Sequence, residues 1–270
     1  MRMRRKNNLD ARLLACSDYF IGRLFRSGEV ETADFNKIFG NENPVWLEIG
    51  CGKGGFINQA AKIYENKNFL AIEKSENVIV TAAEGSVSGK IPNIRYIIGL
   101  AEYMERIIPP CSIERIFLNF SCPFPKKQHE KRRLTHKLYL DIYKKLLKPN
   151  GEIKFKTDNA NFFEYSLKSF SENGFRIQNV TRDLHNGGIS GNIITGRDVP
   201  RLLGEGTPSG VIGGISPASR PVSTSGSAKR ATTLSLQFAE GELAAVITEY
   251  EQFFTERGFK INYFEAFANF

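Results

Sequence analysis

Glu48, Gly50, Gly52 and Gly54 stand together in LEIGCGKGGF, where an apolar run gives way to a glycine-rich turn. Glycines between a strand and a helix let the backbone turn tightly and let a ligand lie against the main chain. Glu73 closes the next apolar run about twenty residues on, where a carboxylate can accept hydrogen bonds from ribose hydroxyls. Together these residues point to a nucleoside-containing cofactor, with a merely structural turn as the simpler alternative. No GxxxxGK[ST] is present, which argues against a P-loop nucleotide site. A dinucleotide would bring its pyrophosphate to this turn; Lys53 would tolerate that anion, whereas Glu48 would not. Glu48 suits the amino and sulfonium cations of S-adenosylmethionine. NAD remains the second reading, and with it a nicotinamide-linked oxidoreductase.

A second stretch, RIFLNFSCPFPKKQHEKRRLTHKLY, carries a different chemistry. Its apolar run ends at Asn119, Cys122 stands where the run gives out, and the densest positive charge of the chain follows. Lys126, Lys127, Lys131, Arg132 and Arg133 would neutralise backbone phosphates, positioning a nucleic acid without reading its sequence. Solvated surface charge is the plain alternative for this cluster, as a small buried residue at a strand end is for Cys122. His129 and His136 read as phosphate-side or surface residues. Asp158, after the apolar run EIKFKT, is either a helix N-cap or a carboxylate facing a substrate, and the two roles can coexist. Glu249 and Glu251 can be read as solvated helix charges.

These residues need elements to hold them. Strand and helix alternate along the chain, beginning with a strand in NPVWLEIG and a helix in FINQAAKIY. Strands follow in KNFLAIE, NIRYIIG, ERIFLNFS, EIKFKTDN and FRIQNVTRDL, with a helix and a last strand in the tail. LTHKLYLDIYKKLLKPNG reads as an amphipathic helix burying Leu138, Ile142 and Leu146 and stopping at Gly151. The alternation predicts an open α/β domain with a largely parallel sheet, whose strand ends are the binding positions. Residues 1–40 read as a basic, partly helical extension, and 41–195 with 246–270 as the main domain. Residues 196–245, rich in Gly, Pro, Ser and Thr, read as a largely flexible insertion, since such composition cannot repay its ordering entropy.

The chain has 270 residues, enough for one large core, with 41% hydrophobic and 24% charged residues and a formal net charge of +8. That charge favours an anionic partner. Cys16, Cys51, Cys111 and Cys122 form no CxxC pair and share no metal-site spacing with the histidines, so neither a disulfide framework nor a metal is expected. No apolar run is long enough to span a bilayer, and the basic N-terminus lacks a following apolar segment. A cytoplasmic protein is the expectation. For the oligomeric state a monomer is the default expectation.

WLEIGCGKGGF, LNFSCPFPKKQHEKRRL, FKTDN and ITEYEQFFTERG closely resemble, in this order, the bacterial tRNA (guanine-N7-)-methyltransferases. The likeness covers roughly residues 10–195 and 245–266. It implies the class I methyltransferase (Rossmann-like) fold, a mostly parallel seven-stranded sheet with helices on both faces. It also implies methyl transfer from S-adenosylmethionine to N7 of guanosine 46 in tRNA. The family's cofactor contacts fall on Glu48, Glu73 and Asn119, above the turn of Gly50, Gly52 and Gly54. Its substrate contacts fall on Lys126, Asp158, Thr248, Glu249, Tyr250 and Glu251.

The sequence departs from the family pattern at three places. Leu100 precedes Ala101 where an acidic residue or Asn is usual. Cys122-Pro123-Phe124 replaces Asp-Pro-Trp. About fifty residues are inserted between GNIIT and ITEYE. Guanine N7 has a lone pair and no proton, so attack on a sulfonium methyl needs alignment but no general base. Carboxylates at the Watson–Crick edge would favour the positive charge that develops on the purine. Cys122 takes the place of the main candidate, and a neutral thiol is a weak acceptor without fixed charge; Asp158 and Glu249 remain. The expectation is an enzyme of weakened activity, with a non-catalytic tRNA- or RNA-binding protein of the same fold as the alternative.

Overall fold

In the computed structural model, which describes residues 4–26, 30–185 and 249–268, strand and helix alternate as the sequence periodicity predicts. The elements are α1 (Leu9–Ala15), β1 (Phe20–Leu24), α2 (Phe35–Phe39), β2 (Val45–Ile49), α3 (Gly55–Ile63), β3 (Asn68–Glu73), α4 (Glu76–Ser88) and β4 (Ile94–Gly99). They continue as β5 (Ile113–Asn119), α5 (Lys137–Leu146), β6 (Leu147–Thr157), α6 (Ala160–Glu172), β7 (Phe175–Thr181), α7 (Glu249–Thr255) and β8 (Asn262–Ala268).

The strands form one sheet in the order β1-β4-β3-β2-β5-β6-β8-β7. All neighbours are parallel except β8, which runs antiparallel to both β6 and β7. Every residue of β2 is buried, as expected for a parallel strand covered on both faces. One face packs α3 and α4 through Ile57, Ala60, Ile79 and Ala83, together with Leu9 and Leu13 of α1. The other packs α5 and α6 through Leu140, Tyr143, Phe163 and Phe170.

The α/β sheet expected from the sequence is present, with eight strands where seven were expected. The additional strand is β1, from the segment read only as a basic, partly helical lead-in; it pairs in parallel with β4 at the sheet edge. Two details of α5 also differ. Its buried face is Tyr139, Leu140, Tyr143 and Leu146, while Leu138 is exposed. It ends at Leu146, and β6 starts at once and runs through Pro149 and Gly151. The insertion read at 196–245, the GNIIT border and Thr248 lie outside the described residues. Among the described residues no helix is long and apolar enough to cross a membrane.

Strand order reverses beside β2: the chain passes from β2 to β3 and β4 on one side, then returns to place β5 on the other. In such sheets ligands bind outside the carboxyl ends of the strands at this reversal. The ends of β2 and β5 are Glu48–Ile49 and Leu118–Asn119, two of the stretches singled out by their residue types.

Candidate active site

A cleft of about 600 Å³ opens over the carboxyl ends of β2, β3, β4 and β5, lined by Glu48, Glu73, Glu102, Asn119, Cys122 and Arg132 among others. At its floor the Asn119 side-chain amide donates to Glu48 Oε1 at 2.9 Å, joining the two strands at the reversal. Glu48 is only 3% exposed, and its Oε2 is buried without a hydrogen-bond partner. Burial pushes its carboxyl up to about 7, opposed by the Asn119 hydrogen bond, aided by the nearby Glu73 charge and opposed by Lys156. A buried carboxylate held by one amide, with its other oxygen unmet beside a cleft, is a receptor for a cation.

The turn after β2 is shaped for close approach. Gly50 and Gly52 have φ of 81° and 58°, and a side chain at either would project into open space. Gly54 serves packing instead: at φ 82° an added Cβ would lie 2.6 Å from that of Ala82 in α4. Gly54→Ala should therefore destabilise the protein by about 1–3 kcal/mol by overpacking. A shift of the urea midpoint measures this, and an unchanged midpoint would mean that α4 moves aside at no cost. Glu73 ends β3 with Oε1 accepting from the Ser75 amide at 2.9 Å, which fixes the carboxylate at the cleft wall.

Leu100 and Ala101 line the far wall, and Glu102 two residues on supplies a carboxylate that Leu100 lacks. Glu102 Oε2 accepts from the Tyr139 hydroxyl at 3.4 Å. Burial together with this carboxylate raises the Tyr139 phenol to about 12.

Beyond Asn119 the backbone is unusual. Phe120 and Phe124 have φ of 50° and 40°, left-handed values that bulky residues rarely adopt. Such residues persist only where their surroundings over-determine them. The Phe120 amide donates to the Lys156 carbonyl at 2.9 Å. Arg133 holds the other end, donating from Nε to Pro123 O at 2.9 Å and from Nη2 to Phe124 O at 3.1 Å. Its guanidinium also lies 4.1 Å from the centre of the Tyr165 ring. Between these ties Cys122 is exposed at the cleft.

The basic residues divide accordingly. Arg133, expected to face phosphate, is engaged with the turn backbone. Arg132 sits over the Phe124 ring at 4.5 Å and lines the cleft. Lys126, Lys127 and Lys131 are exposed on and beside a 3-10 turn, Lys127–Arg132.

The later acidic residues divide too. Asp158 is not the cap of α6; Asn159 Oδ1 accepts from the Phe162 amide at 2.8 Å and fills that role. The half-buried Asp158 carboxylate, just past the end of β6, has no partner among the described residues. Glu249 and Tyr250 open α7. Glu251, also expected at the substrate, is fully buried. It accepts from Lys156 Nζ at 3.0 and 3.2 Å, and its Oε1 lies 3.0 Å from His185 Nε2. Burial alone would raise the Glu251 carboxyl, but His185 and Lys156 outweigh it and hold it below the usual range. Sequence reasoning missed Glu102, Lys156 and His185. Among the described residues no cluster of three or more His, Cys, Asp or Glu could hold a metal ion.

The family described as "Putative methyltransferase" matches residues 42–198. A protein of Geobacillus sp. (strain WCH70) named tRNA (guanine-N(7)-)-methyltransferase is 43% identical over 195 residues, 72% of this chain and 87% of that protein. The protein of the same name from Bacillus subtilis (strain 168) is 44% identical over 161 residues, 60% of this chain and 76% of its own length. Among solved structures, a 30S ribosomal A1408 methyltransferase from an uncultured bacterium superposes with a TM-score of 0.45 at 17% identity, over 58% of this chain and 81% of that one.

Proposed function

The chain belongs to the tRNA (guanine-N7-)-methyltransferase family, and from that premise we propose that it methylates N7 of guanosine 46 in tRNA, with S-adenosylmethionine as donor. The observation that carries the site assignment is the Glu48–Asn119 pair at the strand reversal, with one carboxylate oxygen buried and unmet beside the cleft. That oxygen and the open space above Gly50 and Gly52 fit the cationic amino-acid end of the donor. Glu73, fixed by the Ser75 amide, suits the ribose hydroxyls.

S-adenosylmethionine, when bound, supplies an electrophilic methyl group on a sulfonium. The residues of this chain align, exclude water and stabilise charge; none has to remove a proton from N7. The guanine enters over the β5 exit turn, where Phe124 and Arg132 offer a flat surface and a cation at the cleft mouth. Asp158, without a partner among the described residues, and Glu249, at the start of α7, are the carboxylates assigned to the Watson–Crick edge. There they would hold N1–H and the 2-amino group as positive charge grows on the purine. Lys126, Lys127, Lys131 and Arg132 are assigned to phosphates, Arg132 from the cleft mouth. A tRNA substrate also favours a cytoplasmic location.

The test is N7-methylguanosine formation by purified protein on a tRNA transcript and on the same transcript with guanosine 46 replaced by adenosine. Product on the first alone is expected; equal product on both would overturn the position. Cys122 favours a second reading, a tRNA-binding protein without turnover, which predicts tRNA and donor binding with no product.

The split among the basic residues gives a separate expectation. Arg132→Ala should weaken tRNA binding and reduce the slope of log affinity against log salt by about one. Arg133→Ala should leave that slope nearly intact and lower turnover, because Arg133 holds the turn rather than a phosphate. An equal loss of slope in both variants would return Arg133 to the phosphates.

A further inference from the structure

Glu251 and Lys156 form a buried ion pair, with His185 beside it, that does not line the cleft; Lys156 nevertheless pairs with Asn119 of the cleft floor in the sheet. Glu251 has zero exposure and Lys156 7%, so both charges have lost nearly all their water. Ion pairs buried this way seldom add net stability, and their best-attested use is to fix one arrangement among several. What this trio fixes is visible in its neighbours. Lys156 gives its side chain to Glu251 of α7 and its carbonyl to the amide of Phe120. Phe254, one turn beyond Glu251, stacks against the Phe120 ring, with centroids 6.3 Å apart and planes 22° from parallel. A small apolar cluster of Leu184, Ile261 and Tyr263 closes around Phe120 and Phe254.

Phe120 is thus held at both its amide and its ring by groups that Glu251 locks together. It needs such support, because its left-handed φ of 50° is costly for a bulky residue. Cys122 follows two residues later on the same turn. We infer that Glu251 is a positioning residue rather than a substrate contact: through Lys156 and Phe254 it holds Phe120, and so the β5 exit turn, in the conformation that methyl transfer uses. The inference rests on the proposed methyltransferase reading for its catalytic consequence, but its structural part can be read without turnover. His185, on the segment after β7, places its Nε2 3.0 Å from the same carboxylate.

The experiment compares wild type, Glu251→Gln, Lys156→Met and the double variant. It measures tRNA methylation kinetics, S-adenosylmethionine affinity and hydrogen exchange of the peptide spanning residues 118–124. Each single variant leaves one charge or its partner uncompensated. It should lower kcat by about tenfold or more, the scale of a small misplacement, with KM for tRNA within about twofold. Donor affinity should hold, and exchange should quicken at residues 120–124 while α3 stays unchanged. The double variant removes both charges and should recover kcat and protection part of the way. A raised KM for tRNA in every variant with wild-type exchange would overturn the inference and make Glu251 a substrate contact. Wild-type values throughout would overturn it as well. Absence of product from the wild type would sink the functional reading alone, since exchange at 120–124 still decides the structural part. If a single variant does not fold, the charge-neutral double variant against wild type gives the same exchange reading: faster supports the inference, equal overturns it.

Discussion

Cys122→Asp should raise single-turnover N7 methylation on the order of 10²-fold over the natural sequence, the scale of one well-placed charged hydrogen bond in a transition state. The thiol stands exposed at the cleft, on the turn held by Lys156 at one end and Arg133 at the other. It is well sited and poorly suited. A neutral thiol accepts weakly and carries no charge to oppose the positive charge that N7 attack places on the purine. A carboxylate there would supply both. The contrast between charge and hydrogen bonding can be drawn further with Cys122→Asn, which offers an acceptor without charge. Most of the gain should be missing from that variant if electrostatics dominates. Equal rates for wild type and Cys122→Asp would remove Cys122 as the deficiency.

The parts of this site legible in the sequence are those set by local chemistry. A fully apolar strand, a turn of glycines and a carboxylate closing the next strand lie within about twenty-five residues of one another, and all three are where the periodicity puts them. What the sequence hides is which like-charged neighbour faces which way. Glu249 and Glu251 are two apart on one helix, and only packing against β6 shows that Glu251 points inward. Arg132 and Arg133 are adjacent and chemically identical, and they part company because Arg133 meets two free carbonyls of a strained turn. On α5 the two possible stripes, through Leu138 and Ile142 or through Tyr139 and Tyr143, differ by one residue. The tyrosine rings win because burial favours the larger apolar body while each hydroxyl finds an acceptor, Glu102 for one and the Leu134 carbonyl for the other. β1 is short and contains Gly22 and Arg23, so its alternation is weak. It becomes a strand because β4 has an unpaired edge to offer it.

The cleft floor makes the other large prediction, in which affinity and stability move in opposite directions. Glu48→Gln preserves the size of the side chain and an oxygen for the Asn119 amide, but removes the charge. Donor binding should weaken on the order of 10–100-fold, the loss of a hydrogen bond to a charged group. The ligand-free protein should not weaken, because the charge removed is an uncompensated one. The pH dependence follows from the raised carboxyl. Glu48 rises from an ordinary 4.5 to about 7, so between those values the folded protein holds a proton that the unfolded chain has released. Its contribution to ligand-free stability is therefore full below about 4.5, falls as pH rises, and levels off above about 7. A cationic ligand reverses the preference by binding the ionised form, so donor affinity should climb with pH until about 7 and then flatten. Glu48→Gln should abolish both slopes. Calorimetric titrations and thermal melts of the two proteins between pH 5.5 and 8 would check this. A pH-independent donor affinity in the wild type would mean that the unmet oxygen of Glu48 is not where the donor's positive charge rests.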